Sequence, residues 1–280
     1  MKIFTLNTHS WMEENSLDKL ASLVNFIHEE DIDIFCLQEV NQLANSDIVD
    51  ESSLGSYFIK SKNSSIAIKT DNFAYVLAKL LREVGKDYYW SWQESHLGYD
   101  SYDEGVAIFS KKKIEEARGI LVSISQDYKD FHTRVILTAE IADFMVYSCH
   151  FSWWQDDFQN FFFENEWLNL QDSLRQSQDK GLKLILMGDF NNPAHILDQG
   201  YDLILKSGFL KDSFKVATNK FGEFTVDTSI DGWVKNTDHL RIDYIFVDKI
   251  IKVDKYEIVF NGHNQPVISD HFGILAELSK

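Results

Sequence analysis

Several apolar segments of this chain end on polar side chains that could bind a metal ion or transfer a proton. Asn7 ends the segment KIFTLN, and Glu39 follows the segment IFCLQ. If both segments are parallel strands of one sheet, these side chains lie at its carboxyl edge, where open α/β sheets bind their ligands. Oxygen ligands from two strands suit a hard cation such as Mg²⁺. Taken alone the pair is a weak indication, because polar residues after a strand commonly begin a solvated loop.

The segment LILMGDFNNP repeats this arrangement. Its apolar residues lead to Asp189 and Asn191, which are two residues apart and therefore share one face of an extended chain. His150 ends another apolar segment, MVYSCH. A carboxylate and an imidazole at strand ends are groups that can accept or donate protons.

A third pattern joins a buried acid to a histidine near the end of the chain. Asp243 lies within RIDYIFVD, which is otherwise typical of a buried strand. A lone buried aspartate is costly unless it is paired, and His271 in VISDHFG is the obvious partner. Ser269 and Asp270 could instead form an ordinary turn with the histidine on the surface. The six strands or strand ends taken together make that structural explanation a poor one.

These side chains must be positioned by a layered fold that is rich in strands. A strand at 2–7, a helix at 15–30 and a strand at 31–40 are predicted, with Asn15 or Ser16 capping the helix and apolar residues from Leu17 to Ile27 at helical spacing. This order predicts a parallel strand–helix–strand unit. We expect two packed sheets around one core, with a further helix at 157–178 and further strands at 105–110, 114–123, 132–141, 143–150, 183–190, 241–248, 255–260 and 271–278.

Composition narrows the possible functions. The net charge of −17, from 27 basic and 44 acidic residues, disfavours a nucleic-acid partner, because such binding needs a basic stripe. No apolar segment is long enough to span a bilayer and no signal pattern precedes KIFTLN, so we expect a cytoplasmic protein with no membrane partner. Cys36 and Cys149 lie in apolar segments and are expected to be buried, reduced thiols.

The segments TLNTH, LQEV, DEGVAIFSK, SCHFSWW, MGDFNN, RIDYIFV and SDHFG occur in the order seen in the endonuclease/exonuclease/phosphatase superfamily. The chain resembles that superfamily over nearly its whole length, and GDFN together with SDH is highly specific. The resemblance implies an α/β four-layer sandwich of two mixed β-sheets flanked by helices, as in deoxyribonuclease I, formed by residues 1–280 as a single domain. It also implies cleavage of a phosphoester that depends on Mg²⁺, with Mn²⁺ as a substitute. The segments TLNTHSWMEEN and HFSWW are most similar to the bacterial branch that contains maltose 6'-phosphate phosphatase.

The resemblance implies a role for each matching residue. Glu39 would be the principal Mg²⁺ ligand, helped by Asn7 and Asp270. Asp189 and Asn191 would orient or deprotonate the attacking water, and whether Asp189 or His271 takes the proton stays open. The number of metal ions and the oligomeric state also stay open.

The remaining matches concern the phosphoryl group. His150 and His271 would bind its oxygens, with Asp243 holding the imidazole of His271 and Glu104 supporting His150. We expect both imidazoles to be protonated, because a carboxylate neighbour favours the charged form. Arg134 matches a basic position near the phosphate in some members, and His132 beside it has no firm counterpart.

The substrate is the least determined feature. Aromatic residues make up 14% of the chain, and Trp90, Trp92, Trp153 and Trp154 lie near the matching segments. Aromatic faces stack on sugar rings, so a phosphorylated sugar such as maltose 6'-phosphate is the favoured small-molecule substrate, although about half of these tryptophans are expected in the core. Two alternatives are a phosphodiesterase acting on nucleic acid or a phospholipid headgroup, and a non-catalytic module that binds metal or phosphate.

Overall fold

The first sixth of the chain forms the parallel unit that its apolar pattern predicts. Strand β1 (Lys2–Asn7) pairs in parallel with β2 (Ile34–Gln38), with Ile3 opposite Ile34 and Asn7 opposite Gln38. Helix α1 (Ser16–Glu30) connects them and buries one apolar face against the sheet. Leu17 is 71% exposed and does not belong to that face. Asn15 caps the helix in the left-handed region, without a side-chain cap hydrogen bond.

The computed structural model describes residues 1–155, 160–227, 229–230 and 237–279. In these residues the further strands are β3 (Gln42–Leu43), β4 (Tyr89–Gly98), β5 (Tyr102–Ser110), β6 (Glu116–Leu121), β7 (Val135–Ile141), β8 (Phe144–His150), β9 (Lys183–Asp189), β10 (Leu210–Asp212), β11 (Asn219–Phe221), β12 (Asp243–Asp248), β13 (Val253–Val259) and β14 (Gly273–Leu278). The further helices are α2 (Glu51–Leu54), α3 (Phe73–Glu83), α4 (Phe162–Asp179), α5 (Gly200–Lys206) and α6 (Ser213–Val216). None of the described helices is both long and apolar enough to cross a bilayer.

The strands form two mixed sheets. The first has the order β11-β13-β14-β1-β2-β5-β3, with β4 also paired to β5, and the second has the order β10-β12-β9-β8-β7-β6. Strand β8 pairs in parallel with β9, and β12 pairs antiparallel with β9. The ends of β1, β2, β8 and β9 and the start of β12 therefore meet at one edge of the sandwich.

Three apolar clusters fill the layers and confirm the predicted four-layer sandwich. One lies between the two sheets, with Ile3, Cys36 and Ile274 on one side and Met187 and Ile245 on the other. A second packs α1 and α3 onto the outer face of the first sheet, and a third packs α4 onto the second sheet. Burying apolar faces on both sides of each sheet is the main source of stability for such a fold.

A chain of polar groups crosses from the first sheet to the second beneath the shared edge. Thr5 Oγ1 donates to Gln38 Oε1 at 3.3 Å, and Gln38 Nε2 donates to Ser148 Oγ at 3.1 Å. Ser148 Oγ in turn donates to the carbonyl of Leu37 at 3.2 Å. All three polar side chains are buried, so their hydrogen bonds offset the loss of contact with water. Nearby, Cys36 and Cys149 are buried free thiols, as expected.

The predicted segments differ from the structure mainly at their ends and in one region. The predicted helix 157–178 begins at Phe162, and residues 157–159 lie outside the described part of the chain. Helix α3 and strand β4 were not predicted. Strand β4 carries Trp90 and Trp92, which are 2% and 0% exposed and belong to the core.

Candidate active site

The shared edge of the two sheets brings the predicted metal ligands together. Asn7 ends β1, and Glu39 follows β2 in the left-handed region with φ of 51°. Asn7 Nδ2 donates to Glu39 Oε1 at 2.8 Å and to Asp189 Oδ2 at 3.1 Å. Asn7 thus links an acid of the first sheet to an acid of the second. In this orientation the amide nitrogen of Asn7 faces the two acids. The amide must flip before its oxygen can bind a metal ion.

Glu39 lies among other acids in a buried place. Burial together with the carboxylates of Glu104 and Asp270 raises the pKa of Glu39 to about 8, against the lowering effect of His9 and Asn7. Like charges crowded in a buried place disfavour ionisation unless a positive group joins them. Two carboxylates and an amide oxygen are ligands that Mg²⁺ prefers, so Glu39, Asp270 and Asn7 fit a divalent cation.

Asp270 also belongs to a second group of ligand-type side chains. Ligand atoms of His9, Glu13 and Asp270 lie within 4.8 Å of one another, as do those of Asp189, Asp243 and His271. His9 Nδ1 is 2.7 Å from Glu13 Oε1. Burial lowers the pKa of His9, but Glu13, Asp270 and Glu39 outweigh it and raise the pKa to about 9. The imidazolium of His9 therefore already neutralises part of this acidic group.

Asp243, His271 and Asp189 form a buried row on the second sheet and the adjoining loop. His271 Nδ1 is 2.9 Å from Asp243 Oδ2, as predicted from the buried position of that acid. His271 Nε2 lies 3.8 Å from Asp189 Oδ2. Burial lowers the pKa of His271, but Asp243 and Asp189 outweigh it and raise the pKa well above its ordinary value. His271 is therefore an imidazolium at neutral pH.

Asp189 is held by the loop that follows β9. Its Oδ1 accepts a hydrogen bond from the backbone N–H of Asn191 at 2.8 Å, and Asn191 Nδ2 donates to the carbonyl of Phe151 at 3.0 Å. Asn191 is in the left-handed region, with φ of 50°, which places its N–H under the carboxylate. Burial and the charge of Asp243 raise the pKa of Asp189 to about 7. A carboxyl group with that pKa can exchange protons near neutral pH.

His150 departs from its expected charge. It lies opposite Asp189 at the end of β8, with Nε2 at 3.8 Å from Asp189 Oδ2 and Nδ1 at 3.7 Å from Glu104 Oε1. Burial lowers the pKa of His150 well below its ordinary value, and the charge of Arg134 at 3.4 Å lowers it further. His150 is therefore neutral, and the expectation of two protonated imidazoles is wrong for this one.

Arg134 supplies the fixed positive charge beside His150. It is 4% exposed, and its Nε donates to Ser152 Oγ at 3.3 Å. The backbone N–H of Ser152 donates to Glu166 Oε2 at 2.8 Å, which ties this loop to helix α4. The guanidinium is thus held in place before any ligand binds.

A cavity of about 350 Å³ joins most of these groups. Its lining includes nine of the predicted site residues, and Asn7 and Asp243 lie behind it. The residues that line it are Glu39, His96, Gly98, Tyr99, Glu104, Phe131, Arg134, His150, Trp153, Asp189, Asn191, Asp270 and His271.

Two predicted substrate-binding residues do not line the cavity. The ring of His132 stacks on Phe162 with centroids 4.4 Å apart, and its Nδ1 is 2.9 Å from Asp130 Oδ1. Trp154 packs edge-on against Phe161 at 5.7 Å. Both rings support neighbouring aromatic side chains instead of facing the site.

The prediction missed His96, Tyr99 and Phe131. His96 is paired in register with Glu104, and its Nε2 lies 3.5 Å from Glu104 Oε1. The signal for it was present, because DEGVAIF needs an antiparallel partner and the preceding SWQESHLG is within hairpin reach. Tyr99 and Phe131 lie in a turn and a loop, where no periodicity marks them.

The comparisons with known proteins concern the family and the fold. The family model described as "Endonuclease/Exonuclease/phosphatase family" matches residues 11–271. No curated protein matches the chain. Among solved structures, an endonuclease/exonuclease/phosphatase family protein from Leptotrichia buccalis C-1013-b is 34% identical, with a TM-score of 0.85 and full coverage of both chains.

Two more distant structures share the fold. The mannosyl-6-phosphatase of Bacteroides thetaiotaomicron VPI-5482 is 17% identical, with a TM-score of 0.69 and full coverage of both chains. A 3' phosphatase from Neisseria, solved with a product DNA hairpin, is 19% identical, with a TM-score of 0.65 and full coverage of both chains. At these identities the likeness concerns the fold.

Proposed function

Because the chain belongs to the endonuclease/exonuclease/phosphatase family, we propose that it is a Mg²⁺-dependent phosphomonoesterase that hydrolyses a phosphorylated sugar. The observation that carries the proposal is the arrangement of charge in the cavity. Four acids, Glu39, Glu104, Asp189 and Asp270, line the same space as Arg134 and the imidazolium of His271. The acidic side chains can bind a metal cation, and the neighbouring cationic side chains can bind a phosphate anion. Together they have the composition of a site for metal and phosphate.

Glu39 and Asp270 would hold Mg²⁺ with the amide oxygen of Asn7, and Mn²⁺ would substitute because it accepts the same oxygen ligands. When bound, the ion would polarise the phosphoryl group and offset its negative charge. A phosphate dianion approaching a chain of charge −17 is repelled at long range, so this local compensation is a condition for binding.

The protein's own groups then have distinct roles in the in-line attack of water, in which the bond from phosphorus to the sugar oxygen breaks and the sugar leaves as an alcohol with a proton from solvent. Asp189 accepts the proton of the attacking water, since its carboxylate is fixed by the N–H of Asn191. His271 already carries a proton and is held by Asp243, so it donates to a phosphoryl oxygen rather than acting as the base. Arg134, in the segment directly before β7, also donates to a phosphoryl oxygen. Such fixed donors stabilise the charge that spreads over the three equatorial oxygens of the transition state.

The surroundings of the cavity favour a small phosphomonoester over nucleic acid. The chain has 44 acids against 27 basic residues, and the cavity itself is lined by four acids with Arg134 as its arginine. A groove that follows a nucleic-acid backbone needs basic residues along its length. A terminal phosphoryl group needs positive charge only within the pocket that binds it, and not along a groove.

The test is release of inorganic phosphate from a panel of hexose 6-phosphates and maltose 6'-phosphate, with Mg²⁺ and with EDTA. We expect release that EDTA stops and Mg²⁺ or Mn²⁺ restores. Nicking of supercoiled plasmid without phosphate release would favour the phosphodiesterase alternative, and headgroup release from phospholipid vesicles its lipid form. Binding of Mg²⁺ and phosphate without any hydrolysis would favour the non-catalytic module.

A further inference from the structure

Three aromatic side chains stand at the rim of the catalytic cavity, and the proposed reaction steps use none of them. Tyr99, Phe131 and Trp153 all line it. Tyr99 is 50% exposed and Phe131 is 52% exposed. We call these three residues the aromatic collar. Large apolar side chains that are exposed beside a binding cavity commonly mark the place where a ligand is covered.

The collar is attached to segments that are fixed to one another. Tyr99 lies in the turn between β4 and β5, and Phe131 lies in the loop before β7. The backbone N–H of Leu97 donates to the carbonyl of Tyr128 at 2.7 Å, and the Tyr128 hydroxyl donates to Asp103 Oδ1 at 2.7 Å. Lys69, Gln42 and Tyr128 all donate to the carboxylate of Asp103, whose oxygens are therefore occupied. Its contribution is to hold the turn and the loop together.

A stack of rings supports Phe131 from behind. Phe131 is in contact with His132 at 4.0 Å between centroids, and His132 stacks on Phe162 of α4 at 4.4 Å with an interplanar angle of 18°. A ring held in place before binding loses little conformational entropy when a ligand stacks on it. His132 therefore supports a collar residue and does not itself line the cavity.

Trp153 contributes the third ring of the collar. Its indole Nε1 is enclosed by protein and has no acceptor among the described residues. The N–H therefore does not face the cavity, and Trp153 offers a ligand the apolar surface of its ring.

The turn that carries Tyr99 begins beside Glu104, which lines the catalytic cavity. Gly98, the residue before Tyr99, lies so close that an added Cβ would be 2.9 Å from Glu104 Oε2. From there Tyr99 extends to the exposed side of the same cavity. The collar is thus placed to contact the part of a substrate next to the phosphoryl group.

We propose that the aromatic collar binds the ring of the leaving alcohol, a pyranose, with the rings of Tyr99, Phe131 and Trp153 against its apolar C–H surface. This inference rests on the proposed phosphomonoesterase function and adds the residues that select its substrate. A nucleobase would also stack on such rings. The neighbours of the collar favour a sugar, because Asp100 beside Tyr99 is exposed and its carboxylate accepts hydrogen bonds from hydroxyl groups, of which a pyranose has several and a nucleobase none.

The collar is tested by replacing its rings without removing bulk. Tyr99→Leu and Phe131→Leu should each raise KM for the preferred hexose 6-phosphate by roughly 2- to 13-fold, the range for loss of an aromatic contact. The change should fall mainly on KM, and the ratio of kcat/KM for the sugar phosphate to kcat/KM for glycerol 1-phosphate, which has no ring, should fall by the same factor. Tyr99→Phe should restore the wild-type ratio. Phe221→Leu is the matched control, since Phe221 is 54% exposed and lies on β11 outside this cavity.

An equal loss for glycerol 1-phosphate and the sugar phosphate would overturn the inference, because it would show a structural effect on the phosphoryl site. A nucleoside 5'-monophosphate that is preferred by the wild type and selectively lost in the variants would also overturn it. A separate measurement without catalysis distinguishes its failure from that of the proposed function. Saturation-transfer NMR with methyl glucoside and maltose in EDTA should show contact that Tyr99→Leu and Phe131→Leu weaken, even if the wild type released no phosphate from any ester. Absence of contact with both sugars, together with turnover of sugar and ring-free phosphates alike, would refute the collar and leave the phosphomonoesterase intact.

Discussion

Replacing Gly188, the glycine of GDFN, should destabilise the protein, because the structure leaves no space for a side chain there. Gly188 has φ of 143°, and a Cβ at this position would lie 2.0 Å from the carbonyl oxygen of Cys149 on the paired strand. Real Cβ atoms essentially never come within 3.0 Å of such an atom, so β8 and β9 would have to separate by at least about 1 Å. Backbone strain of about 1–3 kcal/mol and overpacking of about 1–3 kcal/mol add to roughly 2–6 kcal/mol for Gly188→Ala.

A chain of this length loses about 2 °C in Tm per kcal/mol, so Gly188→Ala should lower Tm by roughly 4–12 °C in a calorimetric or circular-dichroism melt. Gly181→Ala is the control, because Gly181 has φ of 79° but no atom within 4 Å of an added Cβ. It should lose only about 2–4 °C, from left-handed strain of about 1–2 kcal/mol. At a temperature where both variants are folded, Gly188→Ala should also lower kcat by about 10²-fold, since Asp189 follows directly and displacement by about 1 Å is enough. A Tm for Gly188→Ala no lower than that of Gly181→Ala would refute this reasoning.

Four further outcomes follow from the site. Asp189→Asn should lower the rate of phosphate release by about 10²–10⁴-fold with an unchanged circular-dichroism spectrum, because it removes the proposed base, and undiminished hydrolysis would exclude Asp189 from the mechanism. Asp243→Asn should lower kcat by about 10²-fold and lower the pKa of His271 measured by NMR, whereas Asp248→Asn on the same strand should change neither. Mg²⁺ at about 100 times its Kd should raise Tm by roughly 5 °C by relieving the crowding that raises the pKa of Glu39, and a rise that persists in Glu39→Gln would place the ion elsewhere. Burial raises the pKa of Asp103, but hydrogen bonds from Gln42, Lys69 and Tyr128 outweigh it and lower the pKa. The stability that these bonds contribute is therefore present at neutral pH and is lost as pH falls below about 4. Asp103→Asn should flatten the acid side of a plot of Tm against pH, and an unchanged acid side would contradict this.

The functional residues at strand ends could be predicted from two rules used together. The apolar pattern locates each strand, and parallel pairing brings the carboxyl ends of neighbouring strands to one edge of the sheet. The parallel pairing of β1 with β2 and of β8 with β9 could be expected to bring Asn7 near Glu39 and His150 near Asp189. The pair of Asp243 and His271 followed from the cost of a buried charge. Each of these rests on a rule that is local in sequence or general in topology.

The remaining features depend on tertiary contacts that no local pattern contains. Strand β4 is covered on both faces, so Glu94, Ser95 and His96 are buried and the alternation that marks a half-buried strand is absent. The lowered pKa of His150 depends on its burial and on the charges of Arg134, just before β7, and His96, in β4, which are distant in the sequence. Tyr99 and Phe131 line the same cavity because the chain before the Tyr99 turn is hydrogen-bonded to the loop that carries Phe131, through Leu97 N–H and the carbonyl of Tyr128.

The polar chain through Thr5, Gln38 and Ser148 has a mechanical consequence for the catalytic edge. Apolar contacts between the sheets have no preferred direction, so they define the relative position of two sheets less sharply than a hydrogen bond does. A hydrogen bond at 3.1 Å from Gln38 to Ser148 has a direction and a narrow range of lengths, so it opposes that translation. Glu39 follows Gln38, and His150 lies two residues after Ser148. This bond therefore fixes the position of the acids of one sheet relative to the imidazole of the other.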